Sequence, residues 1–177
     1  MMHALYVLLS AFFDICLLRR GPQDLPYSPV LLTLTLLIYL LINFVLAPEQ
    51  LTVKEMVLWS LSDTLLLVVL TSSLLYFTHY TARIVQTLTG LIGSYSLLGL
   101  FYIPLIFWLQ EMKSDVNTVT FPEILLFGLA IWSLVVHAHI LRHALNISLI
   151  IGFILTFITY FLEVSLLSQL FPLLLVQ

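Results

Sequence analysis

Five apolar windows dominate this chain, at about residues 29–47, 56–77, 84–109, 121–141 and 147–171. Each is long enough to cross a bilayer as a helix, because a helix rises about 1.5 Å per residue across about 30 Å of hydrocarbon. They are too long for barrel strands and lack the two-residue alternation of such strands. The breaks between them, near 48–55, 78–83, 110–120 and 142–146, are too short to hold a soluble domain. The chain therefore reads as all-α: a polytopic membrane protein, a five-transmembrane-helix bundle forming one integral membrane domain over 1–177. Composition agrees. Hydrophobic residues make up 62% and charged residues 8%, with a mean hydropathy of +1.14. A soluble domain carries about 25% charged residues, so lipid must be the solvent for much of this surface.

Six Lys and Arg stand against nine Asp and Glu, a net charge of −3. That balance offers no basic face for nucleic acid. The single cysteine, Cys16, excludes an intramolecular disulfide and a multi-cysteine zinc site, and reads as a small apolar helix residue. The first eighteen residues are apolar, with His3, Ser10 and Asp14 interspersed. No basic residue precedes the apolar run, and Arg19 and Arg20 follow it, so the segment is expected to be retained rather than cleaved as a signal peptide. It is short and interrupted for a span; an amphipathic helix lying in the interface, or half inserted, is expected over 1–18. Gly21, Pro22, Pro26 and Pro29 make 19–29 a non-helical connector.

The last two windows and their tight junction at 142–146 set the register of the whole topology. Arg19, Arg20, Arg83 and Arg142 fall on one side of the membrane. The other side carries only Lys54 and Lys113, beside Glu49, Glu55, Glu111, Asp115 and Glu123. By the excess of basic residues in cytoplasmic loops, the N-terminus is expected in the cytoplasm and the C-terminus outside. Tyr27, Trp59, Tyr80, Trp108 and Phe121 mark span ends. The apolar tail 173–176 belongs to the last span or to an interface.

Three polar groups fall inside the windows: Asn43, Asp63 and Glu163. On the expected topology all three lie in the outer half of the membrane. Thr35, Tyr39 and Asn43 share one helix face, as do Gly152, Thr156, Thr159 and Glu163. An ionisable group in hydrocarbon is costly, so it faces the bundle interior and finds partners. One reading makes Asp63 and Glu163 a proton-titrating or ion-binding pair of a transporter or channel subunit, since two close carboxylates share a proton. The other makes each a hydrogen-bonded group that holds helices together.

The histidines gather where the second and fourth windows end: His79, His137, His139 and His143. His139 and His143 share a face, while His137 lies about 200° round the helix from His139. Neutral imidazole would suit a haem or a metal held by His79, His139 and His143, with Asp14 in reach if the N-terminal helix packs there. The plainer reading is a cytoplasmic belt of these histidines with Arg142, touching lipid headgroups or the helix C-terminus. The sequence demands no cofactor. In the third window, Gly90, Gly93, Ser94, Ser96 and Gly99 let helix backbones approach closely, and Gly90 and Ser94 form a small-xxx-small pair. Such packing serves the chain itself, a partner membrane protein or a second copy. Pro104 is expected to kink this helix. The phosphate loop, the nucleophile elbow and the zinc-protease motif are all missing. Asn146-Ile147-Ser148 matches a glycosylation acceptor but falls on the expected cytoplasmic side.

The N-terminal segment with Phe12-Phe13, the connector Gly21-Pro22-Gln23-Asp24-Leu25-Pro26-Tyr27-Ser28-Pro29 and the five windows form a pattern. It resembles the small bacterial membrane proteins grouped with the Yip (Rab-interacting membrane protein) family. The stretches 85–93 (Val-Gln-Thr-Leu-Thr-Gly-Leu-Ile-Gly) and 132–144 (Trp-Ser-Leu-Val-Val-His-Ala-His-Ile-Leu-Arg-His-Ala) are similar to what such members carry. The resemblance covers most of the chain. It implies a non-enzymatic subunit or scaffold of the bacterial inner membrane, acting through partner membrane proteins and lipid. It supplies no catalytic residues. The long soluble N-terminal region of the eukaryotic relatives has no counterpart in this sequence. Three expectations stand: a scaffold, a proton- or ion-coupled transporter or channel subunit using Asp63 and Glu163, and a haem- or metal-binding redox subunit using the histidines.

Overall fold

A computed structural model describes residues 2–111 and 120–171. Lys113, Asp115 and the tail 173–176 lie outside the described residues. Six helices follow one another: α1 (Met2–Cys16), α2 (Pro29–Val45), α3 (Val53–Phe77), α4 (Ile84–Glu111), α5 (Phe121–Leu145) and α6 (Leu149–Leu170). Short 3-10 turns at Pro22–Asp24 and Thr81–Arg83 lead into α2 and α4. The described residues contain no strand.

Local chemistry fixes the helix starts. Ser28 accepts a hydrogen bond from the Leu31 amide at 3.2 Å, with Pro29 at the first helical position. Thr52 and Glu55 bond reciprocally at the start of α3, and Glu123 accepts from the Thr120 amide at 2.7 Å at the start of α5. Ser148 accepts from the Ile151 amide at 3.4 Å. Such caps satisfy amides that the helix leaves orphaned, each worth about 1 kcal/mol. The ends are as specific. Leu18, His79 and Asn146 take positive φ values of 60°, 63° and 56° after α1, α3 and α5. The next amide in each case bonds five residues back: Arg19 to Asp14, Tyr80 to Leu75, Ile147 to Arg142. This is the left-handed closure that glycine usually supplies.

The α5–α6 junction corrects the expected turn over 142–146. Arg142 and His143 are helical, and α5 runs on to Leu145. Basic side chains in a last turn face the negative end of the helix dipole, and Asn146 tolerates the left-handed step. Four helical segments are long and apolar enough to cross a membrane: Val53–Phe77, Thr81–Glu111, Phe121–Leu145 and Leu149–Leu170. The first expected window is shorter than these. α2 has 17 residues, about 25 Å of helix, because Pro29 opens it and Pro48 follows closely on its end.

α4 is the centre. It packs against α1, α2, α3 and α5, while α6 closes on α3 and α5. The helices α2, α3, α6, α5 and α4 thus succeed one another around a ring. Polarity is inverted relative to a soluble bundle. Val30, Leu34, Leu41, Phe157 and Phe161 point outward, whereas Thr35, Ser60, Thr64, Thr71 and Thr156 are buried. Thr64, Ser96 and Thr159 donate to carbonyls one turn back at 2.8–3.0 Å, which satisfies hydroxyls where water is absent.

The small residues of α4 are used inside the chain. The Phe12 ring lies directly against Gly93. A Cβ on Gly99 would stand 2.5 Å from Ile42 Cγ2, and one on Gly90 would stand 3.2 Å from Pro22 Cβ. α6 crosses α5 as closely: a Cβ on Gly152 would meet the Ala138 carbonyl oxygen at 2.6 Å. α1 buries Ala11, Phe12, Ile15 and Cys16 and exposes Tyr6, Val7, Leu9 and Phe13, so it is apolar on both sides. Side chains of the bundle clamp it and the connector in place. Trp132 donates to the Cys16 carbonyl at 3.1 Å, Gln86 to the Leu25 carbonyl at 2.8 Å, and His139 to the Arg20 carbonyl at 3.0 Å. Asp14 pairs with Arg20 at 3.2 Å. Burial pushes the Cys16 thiol up to about 11.

Candidate functional site

Asp63 stands ten residues into α3, and Glu163 seven residues before the end of α6. The two helices run in opposite directions, so both carboxyls fall in the half of the bundle away from the arginines. Their depths are about 15 Å and about 10 Å from that end. Asn43 is two residues from the end of α2 on the same side. The shared depth expected from the sequence is thus present, and the three side chains meet.

They meet in a cavity of about 500 Å³ lined by all five helices of the ring. α2 supplies Tyr39, Ile42 and Asn43; α3 supplies Asp63; α4 supplies Tyr95, Gly99 and Tyr102. α5 adds Ala130, Ser133 and Leu134, and α6 adds Tyr160 and Glu163. A second cavity, of about 380 Å³, lies in the α3–α6 crevice beside Trp59, Leu167 and Ser168. Asp63, Tyr160 and Glu163 line both. The carboxyls therefore form the wall between two spaces.

Asp63 is held from α2. Its Oδ2 accepts from Tyr39 Oη at 3.0 Å and from Asn43 Nδ2 at 2.5 Å. The Tyr39 and Tyr95 rings stack with centroids 6.3 Å apart. Tyr95 Oη is 2.7 Å from His137 Nδ1. Polar groups thus run from Asp63 through two tyrosines to a histidine buried at 3% exposure. Among the described residues, neither lysine nor arginine lines either cavity. Two half-buried carboxyls in an apolar bundle, with no cationic side chain beside them among the described residues, favour neutralisation by protons or by a bound cation, because an uncompensated charge there is costly. The arrangement can therefore take up and release a proton or a small cation.

The histidines separate into different roles. His139 and His143 lie together, ring centroids 4.5 Å apart, as their spacing requires. His143 faces Gln23 at 3.4 Å, Arg142 is exposed, and His79 is an exposed helix cap. His137 is no surface-belt residue; it sits eight residues inside α5, against Tyr95. Among the described residues, no three His, Cys, Asp or Glu side chains group closely enough to hold a metal ion. Gly90 and Gly99 make the close contacts described above, and Ser94 is fully buried. At the arginine end, Pro22, Gln23, Arg83, Gln86, Thr87 and His143 line a pocket of about 260 Å³, where Arg83 donates to the Ala144 carbonyl at 2.9 Å.

Sequence reasoning missed Tyr95, Tyr102 and Tyr160. The signal was present. Tyr95 and Tyr102 are seven residues apart with Gly99 between them on one face of α4, and Tyr160 lies three residues before Glu163. Comparison with protein-family models, with curated proteins and with solved structures gives no match.

Proposed function

We propose that this protein is a proton-coupled membrane transporter or channel subunit in which Asp63 and Glu163 are the titrating pair. The observation that carries this reading is the meeting of two acids, a hundred residues apart, in one cavity that no cationic side chain lines among the described residues. Tyr39 and Asn43 orient Asp63, and Glu163 stands where both cavities reach it. A scaffold acting through the small residues of α4 has less support, because Phe12, Pro22 and Ile42 already cover Gly93, Gly90 and Gly99.

In this reading α2 is the fifth crossing, since it closes the ring around the cavity. α1 is a half-inserted helix at the arginine side, apolar on both its faces. The arginine side is the cytoplasmic side, which places the N-terminus inside and the C-terminus outside. This is also the arrangement implied by the resemblance to the Yip family, in a bacterial inner membrane.

The test is proton movement into liposomes that hold the purified chain and an entrapped pH dye, under an imposed potassium-diffusion potential. Wild type should acidify the interior faster than protein-free liposomes. Asp63→Asn and Glu163→Gln should each remove at least about nine-tenths of that rate while eluting as folded protein. A wild-type rate no higher than the protein-free rate, or full rates in both folded variants, would overturn the proposal.

A further inference from the structure

Five buried side-chain atoms in the described residues have no hydrogen-bond partner: Thr87 Oγ1, Ser94 Oγ, Thr120 Oγ1, His137 Nε2 and Thr156 Oγ1. Buried polar groups are nearly always paired, so such exceptions require an account. Thr120 flanks the start of α5. The other four fall in one half of the bundle, the half towards the arginines. Thr87 and Ser94 are three and ten residues into α4, Thr156 is seven into α6, and His137 is eight from the end of α5. Thr87 also lines the surface pocket beside Arg83 and His143. At the other limit, His137 is bonded to Tyr95, a wall of the carboxylate cavity.

We propose that His137, through Tyr95, is the proton exit of the carboxylate pair towards the arginine end, and that Thr87 marks where the route reaches the surface. The proposal rests on the proton-coupled reading above. With Nδ1 accepting from Tyr95, the imidazole proton sits on Nε2. One transfer then moves two protons in step. The Tyr95 Oη–H bond breaks as Nδ1–H forms, and Tyr95 is refilled by a proton from the cavity. The Nε2–H bond breaks towards the hydroxyls beyond, and a tautomer exchange restores the ring. No electron changes hands and no group is consumed. Polar, buried and unpartnered atoms are the kind that bridging waters satisfy.

The groups facing the cavity are Tyr39 from α2, Asp63 from α3, Tyr95 and Tyr102 from α4, and Tyr160 and Glu163 from α6. α5 contributes no charged group there. Around the exit, α5 itself adds His143 and His139, the latter bonded to the Arg20 carbonyl; the turn before α4 adds Arg83, and the N-terminal segment adds Cys16 and the Asp14–Arg20 pair. His137 is thus the only imidazole joined to the cavity among the described residues.

Dicyclohexylcarbodiimide, an apolar reagent, modifies protonated carboxyls, so its reaction with Glu163, read by mass spectrometry, reports the protonation of the pair. The full chain is placed in liposomes selected for one orientation through a terminal tag, and the pH is varied on one side at a time. Wild-type labelling should follow the pH of the arginine side. Tyr95→Phe, which keeps the ring stack on Tyr39, and His137→Gln should each weaken that dependence at least about tenfold and leave labelling to follow the opposite side. Wild-type labelling that follows the opposite side, or arginine-side control that persists in Tyr95→Phe, would overturn the proposal without any need for the histidine variant to fold. Glu163 that resists the reagent at every pH would overturn the titrating pair itself. Labelling that depends on pH but is indifferent to Tyr95 and His137 would overturn only the exit.

Discussion

His79 holds a conformation that disfavours it. Its φ of 63° closes α3, and a side chain there costs about 1 kcal/mol relative to glycine. His79→Gly should raise the thermal midpoint in detergent by a few degrees, an expectation checked by scanning fluorimetry. A fall instead would mean that the imidazole makes a contact worth more than the strain. Cys16 illustrates the converse, a reactive type made inert. With the thiol pushed up to about 11, alkylation by iodoacetamide at pH 8 should run at least about tenfold slower than for a free thiol, the smaller thiolate fraction outweighing the greater nucleophilicity of that thiolate. Unfolding should restore the ordinary rate; a fast native reaction would show that α1 leaves its seat on α4. At this scale the sequence was half legible. Asn43, Asp63 and Glu163 stood out because polar residues in apolar runs must face inward. His137 did not, because its neighbours His139 and His143 share its composition; His139 is buried as well, and only the helix phase decides which ring meets Tyr95 and which meets the Arg20 carbonyl.

Each helix of this bundle is defined by what its smallest residues allow. Gly152 brings α6 onto the backbone of α5 at Ala138, whereas Gly128 has nothing within 4 Å. Gly152→Ala should therefore destabilise the protein by about 1–3 kcal/mol, the usual cost of overpacking, and Gly128→Ala should be neutral or slightly stabilising. Parallel thermal melts of the two variants check this; equal effects would mean that the α5–α6 crossing relaxes freely. The windows for the helices were readable to within a few residues because hydrophobic length is set by the bilayer. The turn expected at 142–146 was not, since Arg142 and His143 look like loop residues and only the dipole of α5 makes them good helix ends. The close packing of α4 was foreseeable from its glycines, but not its partners. Those depend on the connector folding back over the bundle, which no periodicity in the sequence encodes.

At the scale of the whole molecule, a ring of apolar helices holds two acids, Asp63 bonded from α2 and Glu163 beside it on the cavity wall. Glu163 sits in an interior where carboxyls are expensive, and neutral packed groups of similar shape are often more stable there. A protein that keeps such a group for its chemistry should be stabilised when the group is made neutral, as functional sites commonly are. Glu163→Gln should therefore keep the elution volume and raise the thermal midpoint while it removes proton movement. Asp63→Asn should gain less, because it weakens the bonds from Tyr39 and Asn43 that orient α2 against α3. The two melts and the two flux assays, made on the same preparations, separate the possibilities. Stability and flux changing in opposite directions marks the acid as functional. Both falling together would make Glu163 a structural member of the ring, and the cavity around it a consequence of packing rather than its purpose.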